Sequence, residues 1–276
     1  MRLRQALDSG QMPPVRPSLT RARGSVGDQP VSFLERPGAE PPVLLLHGWG
    51  ASAATFTPLL QGMATPRRLL APDLPGFGES PVGRGGWTTA SYADLILAWL
   101  SGLQVARYSL LGHSYGGALS IRLATGDLPP DRLLLCAPSG IRPEAAAPPS
   151  LRVRAYKWLS GAAGALPPDA RSSFRDWLAT RMGSADYRAA SPELRPTLVA
   201  AVREDLSPLA GRVSLPTLLI WGSNDLELPL RPHAERLQAL IPSAELVVFE
   251  GSGHFPFLDQ AARFAAVADA LMDAAL

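Results

Sequence analysis

Short unbroken apolar runs punctuate this chain, each followed by a glycine-rich or polar break. The runs fall at Val43–His47, Arg68–Ala71, Tyr108–Leu111, Arg132–Ala137, Thr217–Trp221 and Leu246–Phe249. Runs of this length, without polar alternation, suit strands covered on both faces. Between them, apolar residues recur with helical spacing over Ser91–Leu100, Tyr115–Ala124, Pro232–Leu240 and Gln260–Ala274. The alternation predicts an α/β fold, a mostly parallel central sheet flanked by helices. An edge hairpin is expected ahead of it, from Ser18–Arg23 and Val31–Glu35 joined through Gly24 to Pro30. Residues 1–29 then form an N-terminal arm or part of that hairpin.

One region breaks the rhythm. From about Ile141 to Arg212 there is no convincing strand, only short amphipathic pieces such as Val153–Leu159 and Arg171–Thr180, punctuated by Pro148-Pro149 and Pro167-Pro168. A helical insert at 141–212 is the simplest reading. It divides one core into a first part, 30–140, and a second, 213–276.

Composition adds bounds. The 276 residues, 46% hydrophobic and 18% charged, can bury a large core. Lys157 is the only lysine, so arginine supplies nearly all positive charge, which we read as compositional bias. The single cysteine, Cys136, lies in an apolar run and is expected as a buried thiol; an intrachain disulfide needs two. No stretch approaches the 18 or so apolar residues of a membrane span. The basic, proline-containing N-terminus lacks the apolar centre of a secretory signal, so a cytoplasmic location is expected. No cluster has metal-ligand spacing. Neither a metal, a cofactor nor a nucleic-acid partner is expected.

The chemistry is carried by the breaks after the apolar runs. Gly112-His113-Ser114-Tyr115-Gly116 is a G-x-S-x-G pentad between a strand run and a helical segment. A serine on so sharp a turn takes a strained backbone, and the flanking Gly112 and Gly116 avoid the clashes that side chains would bring. Ser114 is the candidate nucleophile. Gly251-Ser252-Gly253-His254 follows the last run and offers His254 as a base; Asp225, past Trp221-Gly222, can hold the other imidazole N–H. Glu227 is a local rival of Asp225. The run ending at Leu46 leads into His47-Gly48-Trp49-Gly50, where the N–H of Trp49 can join that of Tyr115 as an oxyanion hole. Trp49, Tyr115 and Phe255 are candidate substrate-binding side chains. His113 is expected in the sheet packing and His47 as a shaper of the oxyanion loop, with His233 at an exposed helix start. Asp73, Gly76, Gly78 and Ser80 read as a structural loop.

With Asp73-Leu74-Pro75-Gly76-Phe77-Gly78-Glu79-Ser80, Gly222-x-x-Asp225-x-x-x-Pro229 and Gly253-His254-Phe255-Pro256, these motifs resemble the α/β-hydrolase superfamily from about residue 30 to the end. Their order Ser, Asp, His is that of its serine-nucleophile branch. The resemblance implies that 141–212 is a helical cap over the active site. Its aromatics Tyr156, Trp158, Phe174, Trp177 and Tyr187 are expected mostly in cap packing.

A serine at the elbow argues against haloalkane dehalogenases and epoxide hydrolases, which use aspartate there. The proline-glycine oxyanion loop of proline iminopeptidases is not present. His113 stands where carbon–carbon bond hydrolases of meta-cleavage products usually have asparagine. The loops around His47 and Asp73 are similar to those of bacterial carboxylesterases acting on carrier-bound acyl chains. The resulting expectation is a serine carboxylesterase acting on a small or medium acyl ester, with two alternatives: a carbon–carbon bond hydrolase of diketones, or a ligand receptor on a hydrolase fold. The segment 141–212 carries eleven basic and seven acidic residues. It could steer an acidic partner such as an acyl carrier protein, or an anionic substrate; the plainer alternative is that its arginines keep cap helices solvated.

Overall fold

In the computed structural model, residues 17–142 and 184–274 are described, with single positions at 158, 159, 161, 167, 169–171 and 174. Strands β1 (Thr20–Val26), β2 (Gln29–Arg36), β3 (Ala39–Leu46), β4 (Arg67–Pro72), β5 (Ser109–His113), β6 (Leu133–Cys136), β7 (Thr217–Gly222) and β8 (Glu245–Phe249) form one sheet. Its spatial order is β1-β2-β4-β3-β5-β6-β7-β8. The hairpin β1–β2 and the β2–β4 pair are antiparallel, and every pair from β4 to β8 is parallel.

The hairpin lies where expected, but its strands run closer together. Val26 pairs with Gln29 across Gly27-Asp28, a two-residue turn in which Gly27 takes φ +57°. The central parallel strands carry apolar runs because both of their faces are covered. Along β3, Leu44 and Leu46 join Tyr92, Ile96 and Leu119 on one side. Val43 and Leu45 join Phe56, Leu60 and Phe264 on the other. Period-two side-chain direction sends alternate residues to opposite layers, so a run with no polar position is the signature of a doubly covered strand.

The flanking helices match the expected segments closely: α2 (Thr89–Gly102), α3 (Tyr115–Ala124), α7 (Leu230–Leu240) and α9 (Ala261–Met272). Thr88 caps α2, its side chain accepting the Ser91 N–H. A short 3₁₀ turn, Ala53–Phe56, and α1, Thr57–Gly62, were not expected from the pattern. Their four and six residues are too few to show a periodicity. Within the insert, α4 (Ala185–Ala189), α5 (Arg195–Arg203) and α6 (Ser207–Ala210) are helical, and a short α8 (Pro256–Asp259) precedes α9. Val153–Leu159 and Arg171–Thr180 fall largely outside the described residues, as do Tyr156 and Trp177. Among the described residues, no helix is long and apolar enough to cross a membrane. Cys136 is buried on β6.

The parallel register gathers the important loops at one end of the sheet. β3, β5, β7 and β8 are parallel neighbours or near neighbours, so the loops after Leu46, His113, Gly222 and Phe249 emerge along one edge. In open α/β sheets, ligands bind at that carboxyl edge.

Candidate active site

Ser114 sits between β5 and α3 with φ +51° and ψ −114°, a strained conformation for a residue with a side chain. Three backbone hydrogen bonds hold it: its N–H donates to the Cys136 carbonyl at 3.0 Å, and its carbonyl accepts the N–H groups of Ser139 at 3.0 Å and Ala118 at 3.1 Å. The glycines around it are there for room. A Cβ on Gly112 would lie 2.1 Å from Ser120 Oγ and 2.5 Å from the Gly116 carbonyl oxygen. One on Gly116 would lie 2.1 Å from the Leu46 carbonyl oxygen. α3 therefore packs backbone-to-backbone against the end of β3. That same closeness puts the loop after β3 beside the serine, with Gly48 against His113 and Ser114 Cβ.

Asp225 and His254 meet across the loops after β7 and β8. His254 Nδ1–H donates to Asp225 Oδ2 at 2.7 Å, and the Asp225 side chain is fully buried. The other carboxylate oxygen accepts the N–H groups of Glu227 and Leu228, both at 2.9 Å. Burial pushes this carboxyl upward, but the His254 bond and the two backbone donors outweigh it and hold it below the usual aspartate range. Glu227 has a different place. Its exposed carboxylate stands 3.7 Å from His254 Nε2, on the opposite side of the ring from Asp225.

The remaining histidines are structural in their contacts. His113 Nε2–H donates to the His254 carbonyl at 2.8 Å, and its ring lies against His254, Phe255 and Phe257. Burial first, then the neighbouring His254, lowers its pKa to about 3, so it is neutral at pH 7. His47 accepts the Leu74 N–H on Nε2, which leaves Nδ1–H to donate to the Gly48 carbonyl. Burial lowers its pKa as well. His47 thus couples the loop after β3 to the Asp73 loop. His233, partly buried, contacts the Pro229 carbonyl at the start of α7.

The Asp73 loop is a scaffold. Asp73, fully buried, accepts from Arg21 Nη1 at 2.7 Å, the Ala53 N–H at 2.7 Å and the Glu79 N–H at 2.9 Å. Gly78 has φ +55°, and a Cβ there would overlap the same carboxylate at 2.3 Å. Ser80 Oγ accepts the Ser32 N–H, closing the loop against β2.

A cavity of about 620 Å³ opens at this edge of the sheet, lined by Trp49, Ser114, Tyr115 and His254 and by insert residues including Leu198 and Val202. Trp49 and Tyr115 meet edge to face, with centroids 5.5 Å apart. Phe255, expected at the substrate, is instead packed beneath the histidine loop against His113, His254 and Phe257. It is half-buried at the N-terminus of α8 against the core layer that holds Phe257 and Phe264, and is not among the cavity residues. Among the described residues, no group of three or more metal-ligating side chains comes together.

Several supports act through contacts that the local sequence does not announce. Gly222 is required because a Cβ there would lie 2.1 Å from the Gly253 carbonyl oxygen, so the aspartate and histidine loops press directly together. Asp259 accepts the Gly253 N–H, and Gln260 Nε2 donates to Glu250 and Ser252. In the cavity wall, Glu204 binds Arg122 of α3 and Thr89 of α2, tying the return of the insert to the core. These pairings join distant residues, so only the tertiary fold reveals them.

The chain matches the alpha/beta hydrolase family over residues 43–267, and it belongs to that family. It is 30% identical over 262 residues to an uncharacterised protein of Mycobacterium tuberculosis, covering 86% of this chain and 76% of that one. It is 31% identical over 249 residues to a pimeloyl-[acyl-carrier protein] methyl ester esterase of Neisseria meningitidis, covering 84% and 92% of the two chains. Among solved structures, an esterase from Exiguobacterium antarcticum superposes with a TM-score of 0.70 at 21% identity, over 94% of this chain and all of that one.

Proposed function

We propose that this hydrolase-family protein is a serine carboxylesterase acting on small or medium acyl esters through an acyl-enzyme. One observation carries the reading: Ser114, on its strained elbow, shares a cavity with a histidine whose far nitrogen is bound to a buried carboxylate.

In this mechanism His254 Nε2 takes the Ser114 proton as Oγ bonds to the ester carbonyl carbon. The N–H groups of Trp49 and of Tyr115, the latter at the unpaired start of α3, hold the developing oxyanion. Asp225 keeps the proton on Nδ1 and stabilises the imidazolium. The C–O bond breaks and His254 passes its proton to the departing alcohol. Water then attacks the acyl carbon, giving a proton to His254 that returns to Ser114 as the carboxylic acid leaves.

The substrate named for the Neisseria relative supports extending this reading to esters of carrier-bound acyl chains. The net positive segment 141–212 would complement an acidic carrier.

The test is turnover of p-nitrophenyl butyrate and labelling by a fluorophosphonate, in wild type and Ser114→Ala. Both are expected in the wild type and abolished in the variant. Persistence of either in the variant removes Ser114 as the nucleophile.

A further inference from the structure

The Glu227 carboxylate lies 3.7 Å from Nε2 of His254, the nitrogen that the proposed chemistry turns toward the ester. Its backbone is anchored from behind. Its own N–H donates to Asp225 Oδ1, so the carboxylate bound to one ring nitrogen also anchors the residue that reaches round to the other. Further acidic groups line the same cavity at Asp186 and Glu204. Glu204 is neutralised by Arg122, whereas Asp186 has no cationic partner among the described residues. The one arginine among the described lining residues, Arg142, donates to the Arg203 carbonyl and lies near Asp205. Its guanidinium is engaged at the turn between α5 and α6.

We propose, resting on the esterase reading above, that Glu227 is a specificity-determining residue that excludes negative charge from the acyl-transfer site. The substrate class is then an acyl ester that is neutral or cationic near the scissile bond. A free carboxylate a few atoms away meets Glu227 at close range. The carboxylate product of each turnover meets the same repulsion, which favours its departure. The net positive charge of the segment 141–212 can still draw in an acidic carrier from a distance, because the repulsion at Glu227 acts only at short range.

Glu227 is solvent-exposed, so the effect is screened and modest. Two like charges about 5 Å apart in near-aqueous surroundings correspond to roughly a fivefold change in rate. The experiment compares p-nitrophenyl butyrate with the p-nitrophenyl monoester of succinate and a trimethylammonium-bearing analogue of similar size. kcat/KM is measured for wild type and Glu227→Gln at low and high salt, each value divided by the ester's hydroxide-catalysed rate. In the wild type the anionic ester is expected to fall well below the other two. Glu227→Gln is expected to narrow the gap about fivefold, chiefly by raising the anionic value, and salt to narrow it in wild type but little in the variant. An anionic ester turned over as well as the neutral one, or a gap unchanged in Glu227→Gln, overturns the proposal. Failure of the neutral ester and of fluorophosphonate labelling would instead overturn the esterase reading on which it rests.

Discussion

Gly116 lies so close to Leu46 that a Cβ on it would stand 2.1 Å from the Leu46 carbonyl oxygen. The obstacle is backbone at the end of a central strand, fully buried, and cannot swing aside. Gly116→Ala is therefore expected to push α3 off β3, destabilising the fold by roughly 1–3 kcal/mol or more. Because β3 leads into the Trp49 loop, the proposed esterase activity should fall further than stability alone requires. Thermal melting and fluorophosphonate labelling at 20 °C check the two effects separately. An alanine variant with unchanged melting temperature and labelling rate would contradict the packing described.

Asp225→Asn tests the orientation of His254. The amide can still occupy the buried site, but its NH₂ cannot accept the Nδ1–H that the carboxylate accepts at 2.7 Å. The expected loss in kcat is on the order of 10³–10⁴-fold, with KM for a short neutral ester little changed. The parallel variant Glu227→Gln should not reproduce a loss of that size on the neutral ester, because its carboxylate faces Nε2 from solvent.

The strands are legible in the sequence because double coverage writes itself as unbroken apolar runs, as at Val43–Leu46. The three candidate catalytic residues are legible because each follows such a run in a glycine-rich break. The 3₁₀ turn and α1 are not, being too short for any period to repeat. Phe255 illustrates a different limit: its position beside His254 suggests the cavity, but the direction of its ring depends on how α8 packs. Glu227 is the most instructive case. In sequence it competes with Asp225 for one role, and only tertiary geometry separates them onto opposite nitrogens of the same ring.

Acid should destabilise this protein earlier than ordinary carboxylate titration implies. The folded pKa of His113 is about 3, below that of an unfolded histidine near 6.5, so the unfolded chain binds the proton first. Stability is complete above about pH 6.5 and is lost as pH falls from there toward 3. The slope approaches about 1.4 kcal/mol per pH unit for each such histidine. His47, lowered in the same direction, adds to it. Asp225, whose folded pKa is depressed, contributes stability present above about pH 4 and lost below it. Urea midpoints at pH 7, 6, 5 and 4 should fall steadily; a flat profile between 7 and 5 would contradict neutral burial of these rings.

Asp73→Ala should be among the more damaging substitutions away from the cavity. It removes the acceptor of Arg21, Ala53 and Glu79 at once; Arg21 keeps Ser32 and Glu79, but the buried Ala53 N–H loses its acceptor. The expected cost is roughly 3–5 kcal/mol. In a domain of this size that lowers the melting temperature by about 10 °C or more. Ser80→Ala, which deletes a single hydroxyl acceptor, should cost about 1 kcal/mol and calibrates the comparison.

The hydrogen bond from His113 to the His254 carbonyl joins residues 141 positions apart. One lies beside the elbow serine, and the other is the proposed base itself. During synthesis, then, everything through β7 can emerge and collapse while the elbow still lacks its partner. Competence arrives only when the final strand and its loop leave the ribosome and dock. A nascent or C-terminally clipped chain would carry the proposed nucleophile without its proposed base, so the proposed activity would report completion of the last part of the sheet.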